Sequence, residues 1–255
     1  MTLASHHHGS PLSDQRACVL EYLRGVPMTF TSVAGTIVRE WLTASGERDL
    51  LRPSLVLWAA EACGHRTDDV LPVAAAFAFV DCFMRLHDEL VERRAESGTL
   101  ARFGLGQSLN GGDALYALAL RSLADDVLKP ERRLRAARLV GSSVLIAIEG
   151  RNIDVARNAR GARDGLLAHV RSVRRRSAAL TGAALQAGAL LAGAADRVTR
   201  AFDRAGRLLG VASSADPDVA PRLGRKAYSA VARCTADARS LAAFDEVIAF
   251  VASPA

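Results

Sequence analysis

Residues 76–92 read AFAFVDCFMRLHDELVE, an apolar run that ends in a cluster of acids, and the rest of the chain has to be fitted around it. If the stretch is helical, Asp88 and Glu92 stand one turn apart and share a face, with Glu89 beside them. Three carboxylates at one end of an otherwise apolar helix suit Mg²⁺, a hard cation that takes oxygen ligands. Everything else in the sequence is helical in character. Ala, Leu, Arg and Val dominate, aromatics make up 5% of residues, and the period-2 alternation of strands is hard to find. The expected fold class is all-α, a single-domain helical bundle over residues 12–255, with residues 1–11 disordered or tag-like; His6, His7 and His8 receive no function.

The net charge of +6 comes mostly from Arg, whose guanidinium fork chelates phosphate oxygens and so suits phosphate-bearing partners. The basic residues are spread over many helices without helix-turn-helix or zinc-finger spacing, so no nucleic acid is expected as a partner. Cys18, Cys63, Cys82 and Cys234 lie far apart with no CxxC, which reads as reduced thiols in a cytosolic protein. With no secretory leader evident, the expected location is cytoplasmic. Residues 177–195, SAALTGAALQAGALLAGAA, carry no charge and nearly reach bilayer length. Ala and Gly dominate there and Thr181 and Gln186 interrupt it, so the expectation is a central buried helix and no stable membrane insertion.

In chain order, helices are expected over 12–25 and 31–44, and from Arg52-Pro53 to a stop at Gly64. The acid-ended helix spans about 71–94, capped by Asp68 or Asp69. Residues 95–108 read as a Gly-rich loop, followed by helices over 113–128 and 131–159 and a turn at 160–164. Further helices cover about 165–195 and 196–211; 213–221 is loop, and 224–252 forms one or two helices.

The order of short motifs resembles the trans-isoprenyl diphosphate synthases, the polyprenyl synthetase branch of the class I terpenoid synthase fold. Arg52-Pro53-Ser54-Leu55 with Glu61-Ala62-Cys63-Gly64 is similar to that family's third-helix signature. His87-Asp88-Glu89-Leu90-Val91-Glu92 stands where the family has its first aspartate-rich motif, HDDxxD. Phe103-Gly104 and Asn110-Gly111-Gly112-Asp113-Ala114-Leu115 match the segment after it, and Glu149-Gly150-Arg151-x-Ile153-Asp154 resembles EGQxxD. Arg176-Ser177-Ala178 lies where Lys-Thr-Ala is expected, and Gly206-Arg207-x-Leu209-Gly210 precedes the place of the second aspartate motif. That second motif is degraded to Ser213-Ser214-Ala215-Asp216-Pro217-Asp218, whose Pro breaks a helix. The basic Gly-Lys-Arg stretch that grips isopentenyl diphosphate in relatives has no clean counterpart near Gly46-Glu47-Arg48.

The resemblance implies a bundle with a central cavity and Mg²⁺-assisted ionisation of an allylic prenyl diphosphate, with Asp88, Glu89 and Glu92 as catalytic metal ligands. It implies substrate-binding roles for Arg52, Arg93, Arg94, Arg151, Asp154, Arg176 and Arg225, and a cavity lining of Phe79, Phe83 and Tyr116 whose ring faces meet the cation. Each has a structural alternative. Spacing alone makes Asp88–Arg94 a solvated face with Glu89 and Arg93 paired at i,i+4, Asp154 a partner of nearby Arg, and Phe79 and Phe83 core residues. The retained acids beside a degraded second-substrate site point to a terpene synthase, a cyclase built on a prenyltransferase scaffold. The alternatives are a short-chain synthase that condenses the allylic substrate with isopentenyl diphosphate, and a non-catalytic regulatory subunit. The family also implies a homodimer.

Overall fold

The computed structural model describes residues 11–26, 32–44, 49–92, 98–124, 129–159, 165–235 and 237–253, and these contain helices and no strand. The helices are α1 (Pro11–Gly25), α2 (Val33–Thr43), α3 (Leu51–Ala62), α4 (Leu71–Val91), α5 (Gly98–Leu123), α6 (Pro130–Ala159), α7 (Gly165–Leu191), α8 (Asp196–Ala212), α9 (Ala220–Val231) and α10 (Ala238–Ala252).

Helix α4 is the centre. Every residue from Leu71 to Cys82 is buried, so this part of the helix has no solvent face, and α1, α2, α3, α5, α6 and α7 all pack against it. Residues 68–91 have the length and apolarity of a membrane span, and most of that stretch is buried among the other helices. The second half of α7 is the other interior rod, buried from Ala178 to Leu191 except at Gln186. Its small residues let backbones approach: a Cβ on Gly188 would run into the Val56 carbonyl of α3, and one on Gly206 of α8 would meet Gly182 Cα at 2.7 Å. Trp58 locks the far end of α3 against α8 and α10. It lies over Phe202 and Phe244 at ring separations of 5.5 and 4.5 Å, and its indole N–H donates to the Ser240 carbonyl at 2.8 Å.

Two sequence expectations change. Asp68 and Asp69 do not cap α4: they sit in a 3-10 turn, Asp68–Val70, paired with Arg66 at 3.0 Å and His65 at 3.6 Å, and α4 opens on Leu71-Pro72 without a side-chain cap. The Gly-rich stretch 98–108 is helix rather than loop. Gly104 leaves helical geometry, at φ 72°, and kinks α5, and Gly98 at the start of the helix is left-handed too, at φ 82°. The turn before the kink is held because Trp41 Nε1 donates to Thr99 Oγ1 at 2.9 Å. The closing segment, expected as one or two helices, is two, α9 and α10, and α10 is capped by Asp237, which accepts from the Ser240 N–H at 2.9 Å. The four cysteines are free thiols; burial pushes the Cys63 thiol up to about 11. The tag-like residues 1–10, Gly46-Glu47-Arg48, Arg93-Arg94 and the turn at 160–164 lie outside the described residues.

Candidate functional site

Helix α4 does not stay apolar. Asp81, Arg85, Asp88 and Glu92 recur at i, i+4, i+7 and i+11, a spacing that puts them in one stripe along the helix. The stripe runs into a cavity of about 390 Å³ between α3 and α4 on one side and α6 and α7 on the other. That volume falls at the lower end of ligand pockets, roughly 300–1,000 Å³. Its charged lining is balanced, four carboxylates (Asp49, Asp81, Asp88, Asp154) against four guanidiniums (Arg52, Arg85, Arg157, Arg176).

The charges are paired across helices. Near α3, Arg52 donates to Asp81 Oδ1 at 2.5 Å and to Thr181 Oγ1 at 3.2 Å. Arg85 Nη1 lies 2.5 Å from Asp49 Oδ1, with its guanidinium over the Trp41 ring. At the other end, Arg176 on α7 joins α4 to α6, donating to Asp88 Oδ2 at 2.6 Å and to Asp154 Oδ2 at 2.8 Å. Arg151 on α6 reaches Asp88 Oδ1 at 2.9 Å and Glu92 Oε1 at 3.0 Å.

Burial pushes the Asp88 carboxyl above the usual range, because the pull of Arg176 and Arg151 does not offset lost hydration, and Glu92 and Asp154 add like charge. Asp154 goes the other way. Burial alone would raise it, but hydrogen bonds from Ser172 and Arg176 outweigh that and hold it below the ordinary value. Asp81 is raised by burial, which Arg52 opposes only in part.

The acids of the first motif separate. Asp88 faces the cavity and Glu92 meets Arg151 beside it. Glu89 turns to α5, where Oε1 accepts the Leu100 N–H at 2.9 Å and its carboxyl fills the space a Cβ on Gly98 would need. Among the described residues, no three His, Cys, Asp or Glu side chains converge as a cation cage. Asp88 and Glu92 still suit a hard cation, since one guanidinium, itself a cation, already sits against both.

Arg52, Asp154 and Arg176 line the cavity, and Arg151 stands just behind Asp88. Phe79 is fully buried in the core. Phe83 stacks between His87 and Tyr116, at 4.4 and 5.2 Å, on the α5 side of α4, and the three aromatics named from the resemblance do not line this cavity. Arg225 is an exposed residue of α9. In place of the second acidic motif, α8 is followed by Ser213, hydrogen-bonded to Ser177 at 3.1 Å, and by Ser214 in the cavity wall, while Asp216 and Asp218 are exposed. The sequence reading passed over Asp81, Arg85 and Arg157; the first two were visible as charges at helical spacing from Asp88.

A geranylgeranyl diphosphate synthase of Methanosarcina mazei is 30% identical over 185 residues, covering 71% of this chain and 56% of that protein. One from Mycobacterium tuberculosis is 32% identical over 183 residues, covering 67% and 49%. The chain thus spans about half the length of the curated relatives it matches. The geranylgeranyl pyrophosphate synthetase structure from Geoglobus acetivorans superposes with a TM-score of 0.84 at 19% identity, over 96% of this chain and 98% of that one. A Caulobacter crescentus polyprenyl synthase, complexed with calcium and isoprenyl diphosphate, gives 0.83 at 19% identity over 98% and 99%.

These findings correct the expectation of a cyclase, because the relatives are named geranylgeranyl diphosphate synthases. Arg52 and Arg85 supply cations to the cavity from α3 and α4. A sequence model described as polyprenyl synthetase matches residues 35–220, most of the chain, and the protein belongs to the polyprenyl synthetase family.

Proposed function

We propose that the protein is a short-chain prenyl diphosphate synthase that joins an allylic prenyl diphosphate to isopentenyl diphosphate. The observation that carries this is the cavity itself, with arginines paired to carboxylates at both ends, in a chain whose relatives are named geranylgeranyl diphosphate synthases. Arg157 and Arg176, from α6 and α7, offer guanidinium forks for one diphosphate, and Arg52 with Arg85 offers a second cationic end. Asp88 and Glu92 would hold Mg²⁺, which when bound neutralises the leaving diphosphate as a Lewis acid. The remaining work falls to the chain. Asp154 positions Arg176 by accepting from it at 2.8 Å, and Leu180 and Met84 give the cavity apolar walls that keep water from an allylic cation.

A homodimer is part of the same proposal. Leu105 and Leu120 of α5 and Leu134 and Leu145 of α6 are each more than half exposed, at 57, 51, 53 and 66%. The test is product analysis: purified protein with Mg²⁺ and geranyl, farnesyl or geranylgeranyl diphosphate, each with and without isopentenyl diphosphate. Longer diphosphates are expected only when isopentenyl diphosphate is present. Hydrocarbon from an allylic substrate alone would refute the reading, and no turnover of any substrate would favour a subunit that needs a partner.

A further inference from the structure

Arg151 stands apart from the arginines that line the cavity. Its side chain is 11% exposed and lies behind the acids of α4 rather than in the cavity lining. Nε sits 2.9 Å from Asp88 Oδ1, and Nη2 donates to Glu92 Oε1 at 3.0 Å and to the Asp88 backbone carbonyl at 3.3 Å. The Nε–H is buried yet aligned with no acceptor, so its hold on Asp88 is charge attraction rather than a well-formed hydrogen bond. A guanidinium stays protonated in proteins, so the positive charge there is permanent.

From this geometry we infer that Arg151 is a built-in counter-cation that competes with Mg²⁺ for Asp88 and Glu92. The metal position stays closed until the guanidinium is drawn away. The inference rests on the proposal that these two acids hold Mg²⁺. The oxygens that Arg151 holds, Asp88 Oδ1 and Glu92 Oε1, are ones a cation between the two acids would use, and a divalent ion seated beside a fixed guanidinium is repelled by it. Diphosphate is the group that can draw Arg151 off, since a guanidinium fork matches phosphate oxygens as well as it matches carboxylates. Mg²⁺ alone therefore binds the resting protein weakly, and metal and diphosphate enter as a coupled exchange in which each favours the other. A site built this way does not bind metal ahead of substrate.

The experiment is calorimetric titration of Mg²⁺, without substrate, into the wild-type protein, Arg151→Gln and Arg151→Lys. Arg151→Gln should bind Mg²⁺ at least tenfold tighter, about 1.4 kcal/mol. Arg151→Lys, whose single ammonium reaches one carboxylate rather than two, should fall between Gln and wild type. Asp88→Asn added to Arg151→Gln should abolish the gain. Inorganic pyrophosphate should tighten Mg²⁺ binding more in wild type than in Arg151→Gln, because only wild type has a guanidinium to release. Helical circular dichroism checks that each variant is folded; should Arg151→Gln fail to fold, the Lys variant decides by showing a gain or none. No gain in affinity, no detectable Mg²⁺ binding in Arg151→Gln, or a gain that survives Asp88→Asn would overturn the inference. Chain elongation is assayed separately, so product formed by a protein that fails these titrations would sink the exchange and leave the synthase reading standing.

Discussion

Replacing Arg176 by Met tests whether the cavity is held together by charge. The substitution keeps an apolar stem on α7 and removes the guanidinium that bonds Asp88 at 2.6 Å and Asp154 at 2.8 Å. A hydrogen bond to a charged group contributes about 1.5–3 kcal/mol, so the gross loss is roughly 3–6 kcal/mol. Arg176 is 33% exposed, and solvent screening reduces that to about 2–3 kcal/mol. For a chain of this size the melting temperature should drop by roughly 5–10 °C.

The pH dependence separates this account from simple loss of packing. In the wild type Asp154 is held below the ordinary carboxylate value, so its contribution is present above that value and lost as pH falls through the depressed one. Without Arg176 the hold on Asp154 is weakened to what Ser172 and Arg157 supply, and the already raised Asp88 moves higher. A raised acid is least costly when protonated, so its effect is most favourable below the ordinary value and worsens as pH rises through the folded-state value. The stability gap between wild type and Arg176→Met should therefore be largest near pH 7 and shrink toward about pH 4, followed by thermal melts at each pH. A gap that stays constant across that range, or no gap at neutral pH, would refute the charge argument.

Other consequences can be checked in the same preparations. Glu89→Ala removes the acceptor of the Leu100 N–H at the start of α5, and should cost about 0.5–2 kcal/mol in a melt while leaving Mg²⁺-dependent turnover intact. Glu92→Ala should do the reverse, raising the Mg²⁺ needed for turnover with little change in melting. Gly188→Ala places a methyl against the Val56 carbonyl, backbone that cannot swing aside, and should destabilise by about 1–3 kcal/mol in denaturant unfolding. If α5 and α6 form the dimer face, Leu145→Glu should shift the light-scattering mass toward monomer; an unchanged dimer would place the interface elsewhere.

The interior of the bundle was legible because α4 from residue 71 to 82 has no polar face to give water, and only a buried helix can be written that way. The α5 kink was not. Glycines that read as loop also occur in helices where the backbone must turn left-handed, as Gly104 does at φ 72° and Gly98 at φ 82°, the latter with the Glu89 carboxyl against it. Arg52 and Asp81 are 29 residues apart, and Arg176 and Asp88 are 88 apart, so neither partnership exists until α3 and α7 pack on α4.

The split within the acidic motif, by contrast, was already written in the sequence. At 3.6 residues per turn, Glu92 is rotated only roughly 40° from Asp88 around the helix, and Asp81 roughly 20°, whereas Glu89 is roughly 100° away. A helix that turns Asp88 toward a cavity must turn Glu89 toward something else, and the structure supplies the start of α5 for it. Counting acids in a motif gives three candidate ligands; rotating them about the axis gives two and a helix cap. The same rotation brings Asp81 onto the Asp88 face, so the angle that separates Glu89 from the motif also recovers the acid that the motif left out.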